Sequence, residues 1–154
     1  MTPEDVDRLV REVAHHAPDL EPRTGLLRCL LNRLVASGFE VSTRFDIAAS
    51  SVERSLDGDE IRHVRLNPKV GVDCLWDLAH EVGHLDDPPE NADPVEQLLR
   101  EQRAWEAGWR QLVECDPAIQ GSRADYDRRR DECLKGYQQA ASRFADASAR
   151  GQER

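Results

Sequence analysis

The chain of 154 residues has few aromatic side chains, only two lysines and no long apolar run. Aromatic residues make up 5% of it, whereas charged residues make up 33% and give a formal net charge of −9. An acidic chain does not attract the phosphate backbone of a nucleic acid, so we expect no nucleic-acid partner. No segment approaches the length of a membrane span, and the acidic N-terminus lacks a hydrophobic signal region, so we expect no membrane partner.

Cysteine is scarce as well, and the four cysteines include no Cys-x-x-Cys pair. They are Cys29, Cys74, Cys115 and Cys133. Such scattered spacing supports neither a disulfide framework nor a thiolate zinc site, and it is typical of proteins from a reducing compartment. We therefore predict a soluble, cytoplasmic protein.

The apolar residues are grouped into periodic segments, which argues against global disorder, and the length suits a single domain over residues 1–154. Helical spacing and capping residues predict helices at residues 2–16, 23–37, 73–87, 93–114 and 122–149. The last of these is expected to be peripheral. Alternating apolar and polar residues predict strands at residues 39–47, 51–53 and 61–66, with a hairpin-like turn at 56–59. These elements predict an α+β fold with a small, mostly antiparallel sheet of about three strands.

One stretch, His80-Glu81-Val82-Gly83-His84, carries a pattern typical of metal sites. Residues four apart lie on the same side of a helix, so the imidazoles of His80 and His84 can reach one metal ion. Glu81 follows the first ligand directly, where it can hold a water bound to that metal. The apolar residues of the segment form the opposite, buried face of the helix. The alternative is a pair of surface histidines on an amphipathic helix.

A catalytic zinc normally takes three protein ligands and leaves a fourth position open. No histidine occurs at residues 85–90, so we expect the third ligand to be a glutamate of the helix that begins at Asp93. The candidates are Glu96, Glu101 and Glu106. Glu96 is expected to cap the helix and projects away from its apolar side, which excludes it. Helical geometry does not choose between Glu101 and Glu106.

Two segments, Leu78-Ala79-His80-Glu81-Val82-Gly83-His84 and Glu101-Gln102-Arg103-Ala104-Trp105, resemble motifs of the ImmA/IrrE-type zinc metallopeptidases. The resemblance covers about residues 23–112. It implies a gluzincin-like site with His80, His84 and Glu101 as zinc ligands and Glu81 as general base. It also implies a compact zincin-like domain with a core at about residues 23–114. Members of that family typically act on regulatory proteins such as repressors.

The function that we expect is zinc-dependent hydrolysis of a peptide bond, with a peptide or protein as substrate. Glu81 would activate the zinc-bound water and pass its proton to the leaving amine. A further donor should stabilise the oxyanion, and the candidates are His63, Tyr126 and Tyr137. Asp77 is either a surface residue or a partner that orients an imidazole. The strand at residues 61–66 could offer an exposed edge on which an extended substrate pairs.

Two other functions compete with this one. A zincin-like protein without protease activity could bind zinc and act as a protein-interaction module. A deformylase also uses His-Glu-x-x-His, but its third ligand is an upstream cysteine. Cys74 lies only six residues before His80 on the same helix and cannot take that role. The sequence does not indicate the oligomeric state.

Overall fold

The structure, a computed structural model, describes residues 1–45, 51–53, 62–87 and 92–152. Its helices and strands are α1 (Pro3–His16), α2 (Thr24–Ala36), β1 (Phe39–Thr43), β2 (Ser51–Glu53), β3 (Arg62–Leu66), α3 (Asp73–Gly83), α4 (Pro94–Cys115) and α5 (Arg123–Gln152). Short 3-10 segments occur at Pro18–Arg23, Pro68–Val70, His84–Asp86 and Pro117–Ser122. The predicted turn at residues 56–59 lies outside the described residues, as do residues 46–47 and 61 at the ends of two predicted strands.

The predicted helix starts are confirmed at α1 and α4. Thr2 and Asp5 form a capping box, in which the Thr2 hydroxyl accepts from the Asp5 amide at 3.2 Å and the Asp5 carboxylate accepts from the Thr2 amide at 2.8 Å. At α4 the Asp93 carboxylate accepts from the amide of Glu96 at 2.9 Å. Each cap satisfies amide groups that have no partner inside the helix. The sequence therefore sets where both helices begin.

The predicted α+β class with a mostly antiparallel sheet is wrong, because helices dominate the described residues. The strand order is β1-β3-β2, and the longer pairing, between β1 and β3, is parallel. The shorter pairing, between β2 and β3, is antiparallel. Alternation along the chain identifies a strand but does not determine its direction or its neighbour. Since β1 and β2 pair with β3 on its two sides, β3 does not offer the free edge that was predicted for the strand at residues 61–66.

A single cluster of buried apolar residues extends from Val6 in α1 to Leu134 in α5. The motif helix α3 lies inside it, and its residues 74–79 are all buried. The prediction that α5 is peripheral is wrong for its first half, because Tyr126 and Leu134 belong to this core. α5 also continues beyond the predicted end at Ala149 and reaches Gln152.

A disulfide between Cys29 and Cys115 joins α2 to α4, contrary to the prediction from cysteine spacing. Packing of α2 against α4 brings the two Cα atoms to 6.1 Å although 86 residues separate them. Linear spacing carries no information about such contacts. The prediction of a reducing compartment rested on the expected absence of disulfides, so this disulfide removes the support for it. Among the described residues, no helix has the length and apolar character required to cross a membrane.

The first half of α5 is held against α3 by ion pairs. Arg129 donates to both carboxylate oxygens of Asp77, at 2.9 and 2.8 Å. The side chains are 11% and 4% exposed, so this pair is largely withdrawn from water. The neighbouring Arg128 pairs with Asp73 at 2.6 Å, but its side chain is 45% exposed. The two adjacent arginines thus make one buried and one solvated contact with the same helix.

Arg129→Met should lower the free energy of unfolding by about 3–5 kcal/mol, because the charge of Asp77 then stays buried without its arginine. Arg128→Met should lower it by less than about 1 kcal/mol, because solvent screens that pair. Urea denaturation followed by circular dichroism measures both values. Equal losses in the two variants would contradict the assignment of Arg129 as the buried anchor.

Candidate metal centre

Glu101 of α4 lies close to two histidines. His80 belongs to α3, and His84 begins the 3-10 segment that follows α3. His80 Nε2 lies 2.9 Å from Glu101 Oε2, and His84 Nε2 lies 3.3 Å from Glu101 Oε1. The two Nε2 atoms are 3.1 Å apart. These three residues form a group that could hold a metal ion. Their side chains are 12–19% exposed, so the group is covered but still reaches solvent.

The spacing between the two imidazole nitrogens and the carboxylate oxygens of Glu101 fits a small divalent ion. Two ligands that each lie about 2.0–2.1 Å from a tetrahedral zinc are roughly 3.3 Å apart. The observed separations of 2.9, 3.1 and 3.3 Å are close to that value. Two imidazoles and one carboxylate are also a donor set that zinc accepts at catalytic sites. Both the distances between the donor atoms and the types of donor are therefore compatible with a metal ligand set.

Of the two glutamates that the sequence left as alternatives, the structure brings Glu101 to the histidines. Glu106 lies elsewhere on α4, where Arg123 of α5 donates to its carboxylate at 2.6 Å. Arg130 lies 3.6 Å from the same oxygen atom. Glu96 is exposed near the start of α4. Only Glu101 among these three is in contact with His80 and His84.

The site depends on a close contact between the backbones of α3 and α4. A Cβ atom added at Gly83 would overlap the carbonyl oxygen of Ala104. A Cβ added at Gly108 would lie 2.5 Å from the carbonyl oxygen of Ala79. Small residues thus stand at the contact on both helices, and α4 approaches closely enough for Glu101 to reach the histidines.

The protonation states of the ligand set suit metal binding. Burial lowers the pKa of His80, which favours the neutral imidazole. Burial by itself would raise the pKa of Glu101, but hydrogen bonds from His80 and His84 outweigh it and hold that pKa at about 2. A metal takes neutral imidazole and ionised carboxylate. His80 and Glu101 are therefore in the form that binds a metal near neutral pH.

Glu81 is buried beside the ligand set, with 8% of its surface exposed. Burial, with the nearby carboxylates of Glu101 and Asp77, raises the pKa of Glu81 to about 8. A carboxyl group with that pKa is mostly protonated at neutral pH, and a nearby cation would favour its ionised form. In the ionised form it can accept a proton and later deliver it to a leaving group, as a general base does.

The other predicted site residues are distributed differently. Asp77 is buried, contrary to the alternative of a surface residue, and Arg129 donates to both of its carboxylate oxygens. Among the described residues, Nδ1 of neither His80 nor His84 has a hydrogen-bond partner, so Asp77 does not orient either ring through that atom. The hydroxyl of Tyr126 is buried and donates to the Trp105 carbonyl at 2.6 Å. His63 Nε2 shares a hydrogen bond with Ser42 Oγ at 2.7 Å.

Among the three candidate donors, Tyr137 is the one that interacts electrostatically with the carboxylates of Glu101 and Glu81. It lies on α5 with a side chain that is partly open to solvent. Burial, with the carboxylates of Glu101 and Glu81, raises the pKa of Tyr137. Its phenol is therefore protonated at neutral pH and lies within the electrostatic reach of both carboxylates.

Sequence reasoning overlooked three residues that shape the site, namely Trp105, Gly108 and Arg129. Trp105 ends the segment that resembles the family motif and has no predicted role there, but its indole stacks on the imidazole of His80. Gly108 has a detectable signal, since a glycine in the middle of a long helix is unfavourable unless packing requires it. Arg129 stands in a run of three arginines, and nothing in the sequence distinguishes it from its neighbours.

No protein-family model matches the chain, and neither the curated proteins nor the solved structures include a similar one.

Gly108→Ala should lower the free energy of unfolding by about 1–3 kcal/mol, because the added methyl group forces α4 away from α3. It should also weaken metal binding, because Glu101 moves with α4. Gly136→Ala is the matched control: it lies in the middle of α5 with open space around it, and it should stabilise the helix by about 0.5–1 kcal/mol. Urea denaturation and zinc titration of both variants test this, and unaltered zinc affinity in Gly108→Ala would contradict it.

Proposed function

We propose that this protein is a zinc-dependent peptidase. The observation that carries the proposal is the convergence of two imidazole nitrogens and the Glu101 carboxylate within 2.9–3.3 Å, with the buried Glu81 beside them. Zinc held by His80, His84 and Glu101 would supply a Lewis acid that polarises a carbonyl group and acidifies water. Side chains of this protein would then orient the attacking water, move its proton and stabilise the negative charge that develops on the carbonyl oxygen.

Glu81 is the residue that we propose as general base. Without a metal, its pKa of about 8 keeps Glu81 mostly protonated at neutral pH. Zinc held by His80, His84 and Glu101 would favour the ionised carboxylate, which can take a proton from the attacking water. The same carboxylic acid can then protonate the departing amine, so one residue serves both proton transfers. Its burial keeps bulk water from competing for that proton.

Tyr137 is the donor that we propose for the oxyanion. Tyr126 and His63 are already engaged with Trp105 and Ser42, respectively. Burial, with the nearby carboxylates of Glu101 and Glu81, raises the pKa of Tyr137, so its phenol is protonated at neutral pH. A protonated phenol donates a hydrogen bond to negative charge that develops during attack on a carbonyl.

The resemblance of the two motif segments to ImmA/IrrE-type metallopeptidases favours a protein substrate in this proposal. A regulatory protein is the class of substrate that this resemblance suggests. The extended substrate could pair along β1 or β2, which form the two edges of the sheet.

The wild-type protein should bind about one zinc ion per chain. Glu101→Gln should weaken zinc binding by more than about 100-fold, because removing a ligand exceeds the effect of removing a residue that supports one. Glu106→Gln is the control and should bind zinc as the wild type does, because its carboxylate pairs with Arg123. Competition with a chromogenic chelator measures the affinities. Equal affinities in the two variants would contradict the ligand set.

Glu81→Gln should retain zinc and lose about 10²–10⁴-fold in kcat/KM, because the amide cannot accept the proton. Tyr137→Phe should also retain zinc and lose about 10²-fold in kcat, with KM little changed. Cleavage of a proteome-derived peptide mixture, read by mass spectrometry, is the assay. A wild-type protein that holds zinc and cleaves no peptide would favour the alternative of a zinc-binding interaction module.

A further inference from the structure

The imidazole of His80 lacks the support that metal-bound histidines usually have. In most sites the second ring nitrogen donates to a carboxylate, a carbonyl group or water, which fixes the orientation of the ring. Here His80 Nδ1 is buried, and it has no hydrogen-bond partner among the described residues. Asp77, the acidic residue one turn earlier on α3, is already bound to Arg129. Among the described residues, no hydrogen bond at Nδ1 fixes the orientation of the ring.

Trp105 provides a flat surface against that ring. The centroids of its indole and of the His80 imidazole are 4.5 Å apart, and the two planes differ by 18°. An imidazole rotates about its last side-chain torsion in a broad, roughly two-fold well, so a parallel neighbour restricts it strongly. Trp105 is positioned four residues after Glu101, so one helix brings both a ligand and the surface that orients another ligand.

The indole itself is held in place from the other side. Trp105 is buried, and the Tyr126 hydroxyl donates to its carbonyl oxygen at 2.6 Å. The ring of Tyr126 also packs edge-on against the indole, with 5.2 Å between centroids. Tyr126 belongs to α5, so the stacked pair is held between α3, α4 and α5. A surface this well fixed can determine the plane of a neighbouring ring.

We propose that Trp105 is a positioning residue of the metal site. By stacking it holds the His80 imidazole in the plane that directs Nε2 toward Glu101 and His84, in place of a hydrogen bond to Nδ1. The inference rests on the proposed metal site and adds to it the means by which the first ligand is oriented. It gives Trp105 no contact with a substrate and no part in proton transfer.

Trp105→Leu should weaken zinc binding by about 10–100-fold, the range seen when a residue that supports a ligand is removed. Trp105→Phe should recover affinity to within about threefold of the wild type, because a phenyl ring also offers a flat face. Trp109→Leu is the matched control: Trp109 also packs against Tyr126, with 5.1 Å between ring centroids, but it does not stack on His80. It should bind zinc like the wild type. Competition with a chromogenic chelator gives the affinities.

The visible spectrum of bound Co²⁺ reports ligand geometry and separates positioning from general stability. We expect Trp105→Leu to shift or broaden the cobalt bands, while Trp105→Phe and Trp109→Leu leave them unchanged. Trp105→Met keeps much of the side-chain volume but has no flat face. It replaces Trp105→Leu in these measurements if the leucine variant does not fold. Wild-type affinity in the leucine or methionine variant, or an equal loss in Trp109→Leu, would overturn the role of Trp105. A wild-type protein that binds neither ion would overturn the metal site together with it.

Discussion

Contact between the backbones of α3 and α4 is the constraint on which the metal site depends. Each helix places a ligand three residues before a small residue at the contact: His80 before Gly83 and Glu101 before Ala104. Residues three apart lie on one helical face, so the ligands of both helices project beside the contact. A larger side chain there would separate the helices by the width of a methyl group or more. Such a displacement is comparable to the spacing of the donor atoms, which leaves the site little tolerance.

The helix α5 stabilises this contact from outside. Arg129 ties it to α3 through Asp77, and Tyr126 ties it to α4 through the Trp105 carbonyl. These contacts bring Tyr137, which lies further along the same helix, within electrostatic reach of Glu81 and Glu101. α5 lies outside the segment that resembles a known family. It is nevertheless the element that closes the site in this chain.

Local patterns predicted much of the helical structure because caps and apolar periodicity act within a few residues. The capping of α1 and α4 and the shared face of His80 and His84 are of this kind. Pairings between distant segments could not be predicted in the same way. The parallel register of β1 with β3, the disulfide between Cys29 and Cys115 and the anchoring of Asp77 all depend on which elements meet. The choice of Glu101 over Glu106 required the same information.

The distribution of buried charge explains why a cation suits this place. The carboxylates of Asp77, Glu81 and Glu101 lie near one another where α3 meets α4. Arg129 neutralises the first. Glu101 contacts the imidazoles of His80 and His84, and burial lowers the pKa of His80, so its ring provides little positive charge. Glu81 responds by retaining a proton, with its pKa raised to about 8, while Glu101 stays ionised. A divalent cation between the imidazoles and Glu101 would balance the negative charge of Glu101 and lower the pKa of Glu81, because its charge favours the ionised form of each carboxylate.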